Sequence, residues 1–244
     1  MESGLFALLG VLLAGAVNGL ADSLPLRQWP PRPRCVQCGI RRGLALWWGL
    51  HGRCPACHAP PRRRPRLVLG SMALLLALLP LFVQPWPDRL INSLHVAVLV
   101  LIIVVDLEQQ LILDVVVWPA TAVALAGSLL VTPAENTLPL ALAGALTGFV
   151  FFYAAYRLGR RLFGPGALGF GDVKLALLLG AMLGFHRILF ALALGILLGG
   201  AVSLVLLLSG RITRRSTLPY GHYLAAAGLI FLIWGQPLLN WYLG

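Results

Sequence analysis

The chain has 244 residues, 59% of them hydrophobic and 11% charged, with a mean hydropathy of +0.87. That is too little polar surface for a water-exposed globule, in which about a quarter of the residues would be charged. The net charge of +11 is confined to segments between apolar runs, the pattern of cytoplasmic loops facing anionic headgroups rather than of a nucleic-acid-binding surface.

The apolar runs predict an all-α polytopic membrane protein of about eight transmembrane helices, placed near 5–21, 67–84, 91–105, 111–131, 138–156, 173–186, 188–208 and 221–239. The first run follows Met1-Glu2-Ser3-Gly4 without a positive side chain, so it reads as a retained helix rather than a signal peptide. Residues 1–21 form the first helix. Residues 22–66, with ten arginines, all four cysteines and many prolines, form a small water-exposed unit that cannot lie in lipid, and 67–244 carry the remaining spans. Arg62-Arg63-Arg64-Pro65-Arg66 abuts the second span and reads as a topology-fixing, lipid-contacting patch.

Placing 22–66 in the cytoplasm puts the N-terminus outside. It puts Arg157, Arg160, Arg161, Lys174, Arg211, Arg214 and Arg215 on the cytoplasmic side, for 17 basic residues inside. The opposite loops then hold only Arg89 and Arg187.

The cysteines read Cys35-x2-Cys38 and Cys54-x2-Cys57, fifteen residues apart. Paired knuckles at this spacing present four thiolates to a tetrahedral metal, so a structural zinc is expected. So short a polar segment needs a staple to fold. Two disulfides or free thiols are the alternative, disfavoured in the cytoplasm. His51 and His58 read as surface residues.

Acids are few: Glu2, Asp22, Asp88, Asp106, Glu108, Asp114, Glu135 and Asp172. Asp106 ends the third span and Asp172 begins the sixth, which places both at one depth near the cytoplasmic face. Ionisable groups at membrane depth are costly and are functional candidates. Two close carboxylates share a proton, so that one activates water while the other donates to a scissile carbonyl. Gly169 and Gly171 permit close backbone approach beside Asp172. The bland alternative is an interfacial cap, strongest for Asp114. Glu108 reads as a solvated loop residue, and His95, His186 and His222 carry no recognisable constellation.

Gly169-Phe170-Gly171-Asp172-Val173-Lys174-Leu175 resembles the GxGDxKL signature of type IV prepilin peptidases, membrane aspartic proteases of the GxGD group. Asp106 to Asp114 is similar to that family's IDxxxxxLPD loop, with Leu113 where a proline is expected and a changed loop conformation therefore anticipated. Pro219-Tyr220-Gly221-His222-Tyr223-Leu224-Ala225 looks like its PFGPxLA stretch, and Asn18 and the cysteine unit also fit. The resemblance implies catalysis by Asp106 and Asp172. Gly169, Gly171, Asp114 and Lys174 would support them, Lys174 by snorkelling or by orienting the leader.

It further implies prepilin or pseudopilin substrates, a bacterial inner-membrane location and a 67–244 peptidase domain. It also implies a second activity, N-methylation with S-adenosylmethionine, although Pro65-Arg66-Leu67-Val68-Leu69-Gly70 lacks the acid usual there. The competing readings are an ion or solute transporter, disfavoured by acids clustered at one face and missing from the outer half, and an inactive assembly scaffold.

Overall fold

A computed structural model describes residues 2–28, 30–35, 37–50, 52–83, 86–130, 136–164, 168–210 and 220–243. His51, Glu135, the loop arginines Arg211, Arg214 and Arg215, and Pro219 lie outside them. Seven α-helices occur among the described residues: α1 Glu2–Ser23, α2 Arg64–Phe82, α3 Trp86–Gln109, α4 Asp114–Gly127, α5 Leu138–Phe163, α6 Phe170–Leu208 and α7 Gly221–Leu243. No strand occurs there beyond an isolated bridge between Arg34 and Arg41.

Five of the helices, α1, α2, α3, α5 and α6, are long and apolar enough to cross a bilayer, and α4 and Gly221–Gly235 of α7 are shorter apolar helices. Their leucines divide accordingly. Leu76, Leu79, Leu99, Leu178 and Leu179 are fully buried between helices, whereas Leu5, Leu8, Leu12, Leu67, Leu74 and Leu81 point outward, as expected where the solvent is hydrocarbon.

The sixth and seventh expected spans are joined without a loop. Gly184 interrupts α6 with φ 74° and ψ 175°, a backbone conformation that favours glycine, and the chain turns back on itself there. A straight helix would carry Gly199 about 40 Å from Asp172. Yet Asp172 is in electrostatic reach of Tyr220, and a Cβ on Gly199 would overlap the same ring. Asn136 secures the turn by donating to the carbonyls of Ala181 (3.0 Å) and Met182 (3.2 Å), which the interruption leaves without helical donors. The first half of α6 packs tightly on α5, because a Cβ on Gly144 would overlap the Gly180 carbonyl and one on Gly148 the Ala176 carbonyl. This is the small-residue seam that lets membrane helices meet backbone to backbone.

Three expectations change. Arg89 and Arg187 are not loop charges: both lie inside helices and are buried. Asp88, in the first turn of α3, is also fully buried at that end, so the outer half of the bundle does not lack acids. Nor does the cysteine segment stand apart from the helices. Its 3-10 helix Leu44–Trp48 leans on α1, with Trp48 Nε1 donating to the Val11 carbonyl (2.7 Å) and Asn18 Nδ2 to the Trp47 carbonyl (2.8 Å). A Cβ on Gly15 would overlap the Trp48 ring. Val11 is twelve residues, about 18 Å, before the end of α1. The apolar Leu-Ala-Leu-Trp-Trp run thus follows the membrane helix inward from the arginine-rich surface.

Candidate active site

Asp106 lies in the last turn of α3 and is 3% exposed; Asp172 lies in the first turn of α6 and is 6% exposed. The carboxylates are in electrostatic reach of each other. Asp106 is inside its helix rather than after it, since its carbonyl still accepts from Gln110 N–H (2.9 Å).

Ile112, in the short non-helical stretch before α4, forms the lid of the convergence. A Cβ on Gly171 would stand 2.9 Å from Ile112 Cβ, and one on Gly221 would stand 2.9 Å from Ile112 Cδ1 and 3.2 Å from the Asp106 carboxyl carbon. A Cβ on Gly169 would stand 3.2 Å from Asp172 Oδ2. Glycine at these positions therefore leaves both carboxylates approachable through bare backbone.

The carboxylates differ in how they are held. Asp106 Oδ2 accepts the backbone N–H of His222 at 2.8 Å and lies 2.9 Å from His222 Nδ1. Asp172 has the Gly169 backbone as its hydrogen-bonding neighbour. His222 carried no weight in the sequence because its partner is 116 residues away. The signal that points to it is its place one residue after Gly221, where PFGPxLA has a proline.

The expected supporting residues sit around this pair. Lys174 Nζ bonds Asp114 Oδ1 at 2.5 Å and lies over the Phe170 ring, so it is engaged rather than snorkelling freely. Asp114 is not the cap of α4. Leu113 holds that position with φ −82° and ψ 124°, close to the φ of about −65° that proline fixes, so the departure at Leu113 keeps a proline-like backbone. Glu108 is not a free loop residue: Arg64 bridges it (2.8 Å) and Asp22 (2.8 Å), tying the ends of α1 and α3 to the start of α2.

The four cysteines converge as their spacing predicts. Their sulfurs all lie within 4.8 Å of one another, with Cys35–Cys57 and Cys38–Cys54 at 3.6 Å. Zn–S bonds of about 2.3 Å put tetrahedral sulfurs about 3.8 Å apart, so the cluster fits such an ion. Each pair sits on the same turn: Cys35 N–H bonds Ile40 O and Gly39 N–H bonds Cys35 O, while Cys54 N–H bonds Ala59 O and His58 N–H bonds Cys54 O. Gly39 (φ 70°) and His58 (φ 54°) are the matching left-handed positions.

Backbone N–H groups of Cys38 and Gln37 pull the Cys35 thiol below its usual range, and those of Cys57 and Ala56 pull Cys54 down to about 6. Cys57 is pushed up to about 12, the lowering hydrogen bond from Ala59 being outweighed by burial and by the sulfurs of Cys38, Cys54 and Cys35. Four sulfurs this close resist sharing negative charge unless a cation lies among them.

A cavity of about 320 Å³ beside this unit is lined by Arg34, Arg42, Arg62, Arg64 and Asp22 among others. Its one carboxylate is already engaged by Arg62 and Arg64. The lining suits an anion and does not fit the sulfonium and ammonium of S-adenosylmethionine.

Fold and site together define an integral membrane protein with paired buried carboxylates and a separate tetracysteine unit. The model of the type IV leader peptidase family (Peptidase_A24) matches residues 93–204, which include Asp106, Asp114, Asp172 and Lys174. The chain is 32% identical over 230 residues to the prepilin leader peptidase/N-methyltransferase of Aeromonas hydrophila, covering 91% of this chain and 78% of that protein. It is 33% identical to the protein of that name from Burkholderia pseudomallei (88% and 72% covered) and 28% identical to that of Pseudomonas putida (96% and 91% covered). No solved structure matches. The chain belongs to the type IV leader peptidase family.

Proposed function

We propose that the chain is a membrane-embedded aspartic endopeptidase that removes the leader of prepilin-like proteins at the cytoplasmic face of the bacterial inner membrane. The observation that carries this is the meeting of Asp106 and Asp172, both buried, at one end of the bundle with glycine backbone around them. Asp106, held by the two His222 donors, takes a proton from water. Asp172 gives a proton to the scissile carbonyl oxygen as the tetrahedral intermediate forms; as the C–N bond breaks, Asp106 passes the proton it took from water to the leaving amine and the intermediate's hydroxyl returns a proton to Asp172. Gly169, Gly171 and Gly221 let an extended substrate segment lie against the pair. The substrate's apolar helix stays in lipid while its charged leader reaches the cytoplasm.

Cys35, Cys38, Cys54 and Cys57 hold a structural zinc, which fixes two turns in a segment too short to bury a core. Methyl transfer, the second activity in the relatives' names, stays open as a further activity of this chain, but the cavity beside the cysteines offers no free carboxylate, and no step is assigned to it. Transport and scaffolding make a different prediction for the dyad.

The test is co-expression with a prepilin-like substrate and leader removal followed by gel shift. Wild type cleaves, while Asp106→Asn and Asp172→Asn accumulate uncut precursor at wild-type membrane levels. Cleavage by both variants ends the dyad reading.

A further inference from the structure

We infer that His222 is a positioning residue for Asp106, a role that rests on the peptidase reading above. The imidazole Nδ1 (2.9 Å) and the backbone N–H (2.8 Å) converge on the same oxygen, Asp106 Oδ2. A proline at this position offers neither donor. The other oxygen, Oδ1, faces Gly221, where a Cβ would stand 3.2 Å away. One oxygen is thus clamped from α7 and the other faces bare backbone, which leaves Oδ1 as the atom presented to water.

The clamp is braced in turn. The His222 side chain is 14% exposed, its ring packs 3.9 Å from that of Tyr223, and Tyr223 N–H and Leu224 N–H are anchored to the Tyr220 carbonyl at the start of α7. Leu224 is fully buried, so the donor pair is referenced to the core. With Asp106 ionised, as its role of base requires, the contact places a proton on His222 Nδ1, since a carboxylate oxygen only accepts. The clamp joins the end of α3 to the start of α7 across the cleft that Asp172 enters from α6. It therefore fixes the direction of the Asp106 carboxylate relative to its partner, and a base misdirected by an ångström loses rate rather than affinity.

The experiment measures kcat and KM for leader cleavage by the purified full-length protein, with variants at this one position. His222→Ala removes the ring and keeps the N–H. His222→Asn returns a side-chain donor near the Nδ1 site. His222→Pro removes both donors at a position in the first helical turn where proline is tolerated. Losing one charge-assisted donor lowers kcat about tenfold or more. The expected result is therefore a tenfold fall for Ala with KM within twofold, a substantial recovery for Asn, and a fall for Pro at least as deep as for Ala.

Carbodiimide labelling of Asp106, read by peptide mass spectrometry, gives an answer that needs no catalysis: the unclamped carboxylate of the Ala variant labels several-fold faster than that of wild type. Wild-type kcat in the Ala or Pro variant overturns the role, as does an Asn variant no better than Ala, or equal Asp106 labelling in wild type and Ala. A wild type that cleaves no leader at all, yet shows the labelling difference, sinks the peptidase reading while leaving the clamp standing.

Discussion

The two ends of the helical bundle both bury polar groups, and they bury them differently. At the Gly184 end, Asn136 donates to two main-chain carbonyls, and Arg187 Nε donates to the Leu183 carbonyl (3.0 Å) beside the same interruption. Arg89 Nε donates to the Val83 carbonyl (2.8 Å) and its guanidinium pairs with Glu2. These side chains are spent on backbone that a helix reversal leaves open. At the Asp106 end the polar groups are two acids with glycines around them, and the backbone N–H of His222 that Asp106 accepts occupies only its Oδ2. A neutral or cationic side chain that completes the backbone has a structural explanation already; two buried carboxylates brought within electrostatic reach of each other are not explained by one backbone N–H apiece.

The contrast is broken most forcefully at the acids. Asp106→Asn or Asp172→Asn keeps shape and hydrogen bonding, so the bundle stays folded while cleavage falls by about three orders of magnitude or more, the scale of losing a general acid or base. The check is initial rate against thermal midpoint in the same preparation. A variant whose midpoint falls with its rate would put that aspartate with the Gly184 end.

Next in size is the metal unit. Cys54→Ser, or exhaustive chelation, removes a ligand set whose binding energy is folding energy for so small a segment. Zinc content by atomic absorption falls from one per chain to a small fraction, and the 22–63 region becomes sensitive to protease while α3, α5 and α6 stay protected. The acids and the metal are then separable, because Arg64 reaches Glu108 from the start of α2 rather than from the cysteine turns.

Smaller again is Asn136→Ala. It leaves two carbonyls short of a donor, a loss of about 1–3 kcal/mol. The expected outcome is a lowered thermal midpoint with kcat unchanged in the protein that remains folded. It is the mirror image of His222→Ala, where rate falls and the midpoint barely moves.

Much of the Asp106 end was legible in the sequence because its signals are local: Asp106 at the close of an apolar run, Gly169-x-Gly171-Asp172 at the opening of another, and cysteines at knuckle spacing. What was illegible is long-range. His222 and Asp106 meet across 116 residues and Arg64 and Glu108 across 44, and no periodicity announces either. The turn at Gly184 was hidden for another reason. Hydropathy continues through it from Leu183 to Phe185, so the sequence put the boundary between its two expected spans after residue 186, while the actual break, a single left-handed glycine braced by Asn136, had no compositional mark. Trp47 and Trp48 misled in the opposite sense, sitting in an arginine-rich segment that reads as aqueous while their rings fill the space left by Gly15 and Gly19 on α1.

The least effect is expected at Lys174, and it is informative because two roles are in play. Its Nζ pairs with Asp114 Oδ1, and Asp114 is 57% exposed while Lys174 is 19% exposed. An ion pair with one partner so open contributes about 0–1 kcal/mol. What the pair does geometrically is bridge the second turn of α6 to the first turn of α4, on either side of the stretch that carries Ile112 over Gly171. If bridging is its whole function, Lys174→Met lowers the thermal midpoint by at most a few degrees, Lys174→Arg restores it, and cleavage stays within about threefold of wild type, since a loosened lid still covers the dyad. If Lys174 instead meets the leader, Lys174→Met raises KM without touching the midpoint, and Asp114→Asn, which frees the ammonium, lowers KM. Measuring KM for both variants separates a residue that closes the site from one that selects what enters it.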